Sequence, residues 1–324
     1  MKFAIFSDIH GNLPALNAVI EDAEKQNVDS FLFLGDYCIS NPYPDECIAR
    51  IRSLDRKYAV RGNEEKYLEN LIGKDQGTWT DGQMQISYWC FRNINADNLA
   101  YLLALPARLR LECNGIPLHM AHSSEEFIED CEHREWAVAK VAARYQDTYV
   151  TRDRFRADIH SYFDNDRQFQ DIFSRLENGI YLFGHSHIQW SYHSGDGKKI
   201  LINPGSCGLP LDCIRDGLPY TILDLPEGGG TAVEERRVDF RKEEYISFLL
   251  QSEQFVQANI WSRIIIEELR TTREHMLFFL KYAEKYATEI GDTRRPFSVS
   301  TWEKSFELWK KQGGISDSED RAPG

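Results

Sequence analysis

Five short apolar runs in this chain, residues 2–7, 30–34, 57–61, 116–120 and 180–183, each pass straight into a polar string. The strings are Asp8-Ile9-His10, Gly35-Asp36, Gly62-Asn63, Ala121-His122 and Gly184-His185-Ser186-His187. Runs this short and apolar read as buried strands, whereas residues 13–26 place Leu16, Val19, Ile20 and Ala23 on one helical face. Strands alternating with helices build a largely parallel sheet, and ligands gather where such strands end. Asp8, His10, Asp36, Asn63, His122, His185 and His187 therefore converge on one rim. Singly, each string is an ordinary polar strand end. Together they place four of the nine histidines directly after a strand, all at the same end, and that favours a shared site.

Imidazole and carboxylate donors without thiolates suit divalent manganese, iron, nickel or zinc. Two such ions about 3.5–4 Å apart clamp an in-line displacement at phosphorus. His119 falls three residues before His122 on one strand, so the two side chains face opposite ways and only His122 is expected in the site. His133, His193 and His275 read as surface or helix histidines.

The motif order resembles the calcineurin-like metallophosphoesterase superfamily. The opening Ser7-Asp8-Ile9-His10-Gly11-Asn12-Leu13-Pro14-Ala15-Leu16 and the later Asn203-Pro204-Gly205-Ser206-Cys207-Gly208 are similar to its bacterial single-domain phosphodiesterase branch. The resemblance covers residues 1–122 and 178–240. It implies an α/β fold, an αββα sandwich of two mixed β-sheets flanked by helices, with a dinuclear site at its top. On that carry-over Asp8, His10, Asp36 and His187 hold one ion and Asp36, Asn63, His122 and His185 the other, with Asp36 as the bridge. Two divalent transition-metal ions are expected, manganese favoured. The implied activity is hydrolysis of a phosphate mono- or diester, a phosphorylated small molecule or a nucleotide, by a metal-bridging hydroxide. Asn12 and the backbone N–H groups of Gly11 and Gly62 are the expected extra donors to phosphate.

The third motif departs from the family. Where a histidine commonly follows Gly-Asn, this chain has Glu64, then Glu65. A carboxylate beside two cations favours its ionised form and donates a proton poorly. Glu64 is thus either a catalytic residue of altered scope or, with Glu65, an acidic helix start. The competing reading is a metal-binding scaffold of the same fold with impaired turnover.

A formal charge of −13 and no basic stripe argue against a nucleic-acid surface. Seven irregularly spaced cysteines and no apolar leader point to a reducing cytoplasm, and no run of about 18 apolar residues spans a membrane. Residues 1–240 form the expected core. Residues 124–178 form a helical insertion placed to cap the rim, where Arg144, Arg152, Arg154, Arg156 and His160 either meet substrate or are solvated. Residues 241–312 read as a helical extension, with Trp302, Phe306 and Trp309 on one face that packs on the sandwich or pairs two subunits into a homodimer. The polar tail, 313–324, is expected to be disordered.

Overall fold

Residue alternation in the first strand explains the layering. In β1 (Lys2–Phe6), Phe3 and Ile5 join the apolar layer between two sheets, while Ala4 and Phe6 face the helices outside. Phe3, Ile5 and Phe6 each contribute about 1.5–3 kcal/mol when fully buried, which is why the run shows no polar alternation. The computed structural model describes residues 1–127 and 134–315, without the side chains of 134–137. Cys131, His133 and the tail from 316 onward lie outside the described residues.

After β1 come α1 (Leu13–Lys25), β2 (Ser30–Phe33), α2 (Pro44–Arg52) and β3 (Lys57–Ala59), followed by α3 (Glu64–Glu69), α4 (Gln85–Arg92) and α5 (Ala96–Ala104). Hairpin β4 (Arg108–Cys113) and β5 (Ile116–Ala121) turns at Asn114-Gly115, both at positive φ as a two-residue turn of this kind requires. The insertion supplies α6 (Arg134–Ala143), α7 (Arg152–Asn165) and α8 (Arg167–Arg175). Strands β6 (Gly179–Leu182), β7 (Gln189–His193), β8 (Lys199–Pro204), β9 (Leu218–Asp224) and β10 (Ala232–Val238) follow. The chain ends in α9 (Lys242–Leu249), α10 (Glu253–Gln257), α11 (Asn259–Thr271), α12 (Met276–Glu289) and α13 (Val299–Lys311).

Two five-stranded mixed sheets stack face to face, ordered β10-β9-β1-β2-β3 and β4-β5-β6-β8-β7. Strands β1, β2 and β3 run parallel, as do β5, β6 and β8. The runs 220–225 and 231–238, separated by a glycine-rich turn, predict two strands that close the second, more antiparallel sheet, and the structure places them in the first instead. β9 pairs antiparallel with β1, Ala4 opposite Ile222, and carries β10 on the edge of the first sheet. β9 is buried on both faces, which suits a position between β1 and β10.

The insertion also differs from expectation. Phe155, Ile159 and Phe163 lie on one face of α7 and, with Phe169 and Phe173 of α8, pack on Tyr181, Phe183, Trp190 and Tyr192. Most of the insertion is therefore the outer helical layer of the second sheet. In the extension, Trp302, Phe306 and Trp309 pack with Ile260, Ile264, Phe279 and Phe297 in a cluster of their own. Among the described residues, no helix is long and apolar enough to cross a membrane.

Candidate metal centre

Every string identified in the sequence emerges from the same edge of the sandwich, and the backbone there is unusual. Asp8, His10, Asp36, His185 and His187 all have positive φ, between 52° and 67°. Non-glycine residues adopt this conformation at a cost of about 1–2 kcal/mol each, and such strain gathers at functional sites. Cross-links between loops hold it. Asp8 N donates to Gly35 O at 3.1 Å, His10 N to Asp36 O at 3.0 Å, and Gly184 N to His122 O at 2.8 Å. Gly35 and Gly184 have no room for a side chain, since a Cβ would meet His122 at the first and overlap Ser7 and Asp8 at the second.

Two clusters result. In one, the ligating atoms of Asp8, His10 and His187 lie within 4.8 Å of one another; in the other, those of Asp36, His122 and His185 do. Asp36 also groups with His10 and Glu64, so it stands between the two. Asn63 Oδ1 lies 2.9 Å from His122 Nε2.

Backbone carbonyls fix the imidazole tautomers. A carbonyl only accepts, so His122 Nδ1–H donates to Leu34 O at 2.7 Å and His187 Nδ1–H to Leu209 O at 2.8 Å. His10 Nδ1 faces Ile39 O at 3.1 Å and Glu64 Oε2 at 3.1 Å, again both acceptors. Each Nε2 is then left with a lone pair, as in histidines whose outer nitrogen is locked for metal binding. His122 Nε2 lies 2.9 Å from Asn63 Oδ1, 3.1 Å from His185 Nδ1 and 3.2 Å from Asp36 Oδ2. His10 Nε2 and His187 Nε2 are 3.0 Å apart, and Asp8 Oδ1, buried without a hydrogen bond, lies 3.4 Å from the latter. Electron pairs converging in this way call for cations between them.

The side-chain charges show the same demand. Burial disfavours a charged His10, yet Glu64, Asp36 and Asp8 outweigh it and raise its pKa to about 10. His122 is likewise raised, its burial outweighed by Asp36. Asp36 is held below the usual carboxylate range despite burial, because His122 and His10 face it. Burial, with the His10 charge, takes His187 down to about 4 against the pull of Asp8. Burial also pushes Glu64 and Glu65 up to about 7, aided by Asp36. Divalent cations satisfy the same carboxylates that otherwise draw protons onto imidazole.

The seven expected ligands thus meet at one place. Other expectations fail. Asn12 is fully buried, its Nδ2 donating to Gly208 O at 3.0 Å and its Oδ1 capping α1 through Ala15 N at 3.2 Å, so it cannot serve a phosphate. Gly11 N is taken by Tyr37 O and Gly62 N by Glu65 Oε2. Arg152 and Arg156 bind Glu235, Arg154 binds Asp158, His160 faces Ser191 O, and Arg144 lines a separate hollow with Asp158 and Tyr162. Helices α7 and α8 carry their apolar faces to the sheet, which turns Arg152, Arg154 and Arg156 away from the rim. His119 stacks on Tyr181, ring centres 4.6 Å apart, as a structural residue.

Glu65 does more than the acidic helix start expected of it. Fully buried, it accepts from Tyr37 N, Gly62 N and Asp36 N and ties the second and third motif loops together. A glutamate three residues beyond Gly62, reaching back to its N–H as in a capping box, was the available signal.

Residues 1–189 match the family model described as calcineurin-like phosphoesterase. An uncharacterized protein of Methanocaldococcus jannaschii is 28% identical over 235 residues, covering 68% of this chain and 82% of that protein. A metallophosphoesterase from Sphaerobacter thermophilus superposes with TM-score 0.57 at 21% identity, over 84% of this chain and 99% of its own. A hypothetical protein from Pyrococcus horikoshii OT3 gives 0.53 at 16% identity, over 83% and 97%. These two structures share the fold.

Proposed function

Since the chain belongs to the calcineurin-like phosphoesterase family, we propose that it is a dinuclear-metal-dependent phosphoesterase that hydrolyses a phosphate mono- or diester. The observation that carries this reading is the pair of donor clusters meeting at Asp36, with imidazole nitrogens locked by backbone carbonyls. Asp8, His10 and His187 would hold one ion and Asn63, His122 and His185 the other, with Asp36 shared. When bound, two divalent ions, manganese favoured, acidify a water near neutral pH and neutralise charge on a phosphoryl group.

The chain's own residues supply orientation. Leu34 O, Leu209 O and Ile39 O aim the imidazoles. His185 N donates to Asp8 Oδ2 at 3.0 Å and Glu64 N to Asp36 Oδ1 at 2.9 Å, which leaves one oxygen of each carboxylate toward the centre. Glu64 holds the outer nitrogen of His10, so it acts through that ligand and not as a proton donor to the leaving group.

The test uses purified protein loaded with manganese, zinc or nickel, assayed on p-nitrophenyl phosphate and bis-p-nitrophenyl phosphate. Asp36→Asn and His185→Ala should lose turnover and bound metal together while keeping the fold. Wild-type-like turnover in either variant would show that the centre lies elsewhere. Glu64, touching His10 where the family pattern has a histidine, favours a second reading as a metal-binding scaffold. Stoichiometric metal without turnover on any ester would establish it.

A further inference from the structure

A cavity of ≈ 570 Å³ rises from the candidate metal centre, with His10, Asp36, Asn63, His185 and His187 in its floor. Ile188, Leu209 and Leu211 of the core line part of its wall, and two further segments come from outside the motif-bearing core. One is the inserted helix α6, which contributes the small residues Ala139 and Ala143; the other is the C-terminal extension, which contributes Ile265, Met276, Leu277 and Phe278. These small and large apolar side chains leave an apolar slot above a highly polar floor, with Lys140, Gln146, Glu274 and Lys281 also on the lining. A scissile phosphate alone needs only the floor. The volume lies within the about 300–1,000 Å³ of sites that enclose a small organic molecule.

Two aromatic rings at this cavity are left to solvent. Phe278 is 42% exposed and Tyr67, from α3 beside the third motif, 45%. An exposed large apolar side chain is informative when it faces a binding cavity, and rings of this kind pair with flat groups. The Phe278 wall is held in place. Glu268 Oε1 accepts from His275 N at 2.8 Å and Met276 N at 2.7 Å, which fixes the first turn of α12. Glu268 is thus a positioning residue for the wall.

We propose that α6 and the α11–α12 corner form a leaving-group pocket selective for phosphate esters of flat, apolar-bodied organic groups of about nucleoside size, with Phe278 and Met276 as specificity determinants. The proposal rests on the phosphoesterase reading of the floor and adds the class of substrate that the floor is given. A flat group can be a nucleoside or a simple aryl alcohol, and the assay separates them.

Two variants probe the two segments: Phe278→Ala removes an exposed ring and Ala139→Phe fills space in the slot. Each is measured on adenosine monophosphate, p-nitrophenyl phosphate and glycerol 2-phosphate, with KM and kcat separated. Binding of adenosine monophosphate to the metal-loaded protein is measured in parallel by calorimetry. The kcat/KM ratio of each flat ester to glycerol 2-phosphate should fall about three- to tenfold, through KM, the range of one aromatic contact. A nucleoside preference over the nitrophenyl ester in the wild type assigns the larger group. Ratios unchanged in both variants would overturn the pocket while leaving hydrolysis intact. If no ester is turned over but the wild type binds the nucleotide and both variants bind it at least threefold more weakly, the pocket stands and the phosphoesterase reading falls. Wild-type binding that neither variant alters overturns the pocket as well.

Discussion

Removing the Glu65 carboxylate measures how the motif loops are held. Its Oε1 accepts from Tyr37 N at 2.9 Å; its Oε2 accepts from Gly62 N at 2.7 Å and Asp36 N at 3.2 Å. Were Glu65 only an acidic residue at the start of α3, its removal would cost about 0.3–1 kcal/mol. A buried N–H left without an acceptor costs about 1–3 kcal/mol. In Glu65→Gln the amide oxygen serves best in the Oε2 position, keeping two donors and turning its NH₂ against Tyr37 N, so the expected loss is about 1–3 kcal/mol. Glu65→Ala strands all three groups, and even with water entering the space the loss should reach about 3 kcal/mol or more. That is a large part of the about 5–15 kcal/mol that a domain commands. The assay is urea denaturation at pH 7 with excess chelator, so that bound metal does not enter, with the slope checked for constancy. A Glu65→Ala protein within about 1 kcal/mol of wild type would return Glu65 to the helix-start role.

Three further outcomes are expected. Burial, then the charge of Glu274, holds the Glu268 carboxyl well above its ordinary 4.5, and burial raises Glu274 too. Carboxyls raised in the folded state contribute fully below their unfolded pKa and lose stability as pH rises through the folded value. Glu274→Gln should therefore gain on wild type steadily from about pH 5 to 8 in denaturation midpoints, and a gap that shrinks over that range would refute the argument. Gly184→Ala should destabilise by about 1–3 kcal/mol or more and abolish metal binding, because a Cβ there overlaps Ser7 and Asp8; calorimetric metal titration with normal affinity would contradict it. In a leaving-group series at fixed metal and pH, wild-type rates should fall steeply with leaving-group pKa, and Glu64→His should flatten the slope and improve alkyl esters by as much as about 10²-fold. An unchanged slope would leave Glu64 as a holder of His10 alone.

The seven donors were legible in the sequence because a strand end is a fixed address: periodicity finds the strand, and the next residue must lie on the rim. The parallel half of the first sheet was legible for the same reason. What could not be read was which partner a peripheral element takes. The apolar run 220–225 suits either sheet, and only packing puts it beside β1. Arg152 and Arg156 looked available to substrate because charge says nothing about direction; the phenylalanine stripe of α7 decides it. Asn12 suits a phosphate donor by residue type, but an asparagine before Leu13-Pro14 is also a helix cap: capping takes its Oδ1, and its Nδ2 donates to the distant Gly208 O. The cavity at Phe278 brings together residues over a hundred positions apart, for which local pattern holds no signal.

The left-handed backbone at Asp8, His10, Asp36, His185 and His187 has a consequence for any effort to make this protein more robust. Glycine accepts that conformation freely, so at each of these positions a glycine relieves about 1–2 kcal/mol of local strain. A laboratory selection that rewarded heat resistance alone, in chelator, would act on that strain with no metal to offset it, opposed at Asp8 and Asp36 only by the bonds they accept from His185 N and Glu64 N. Selection with metal present reverses the incentive, because ligand binding to the folded state stabilises it by mass action. The rim is thus where durability and chemistry compete for the same residues.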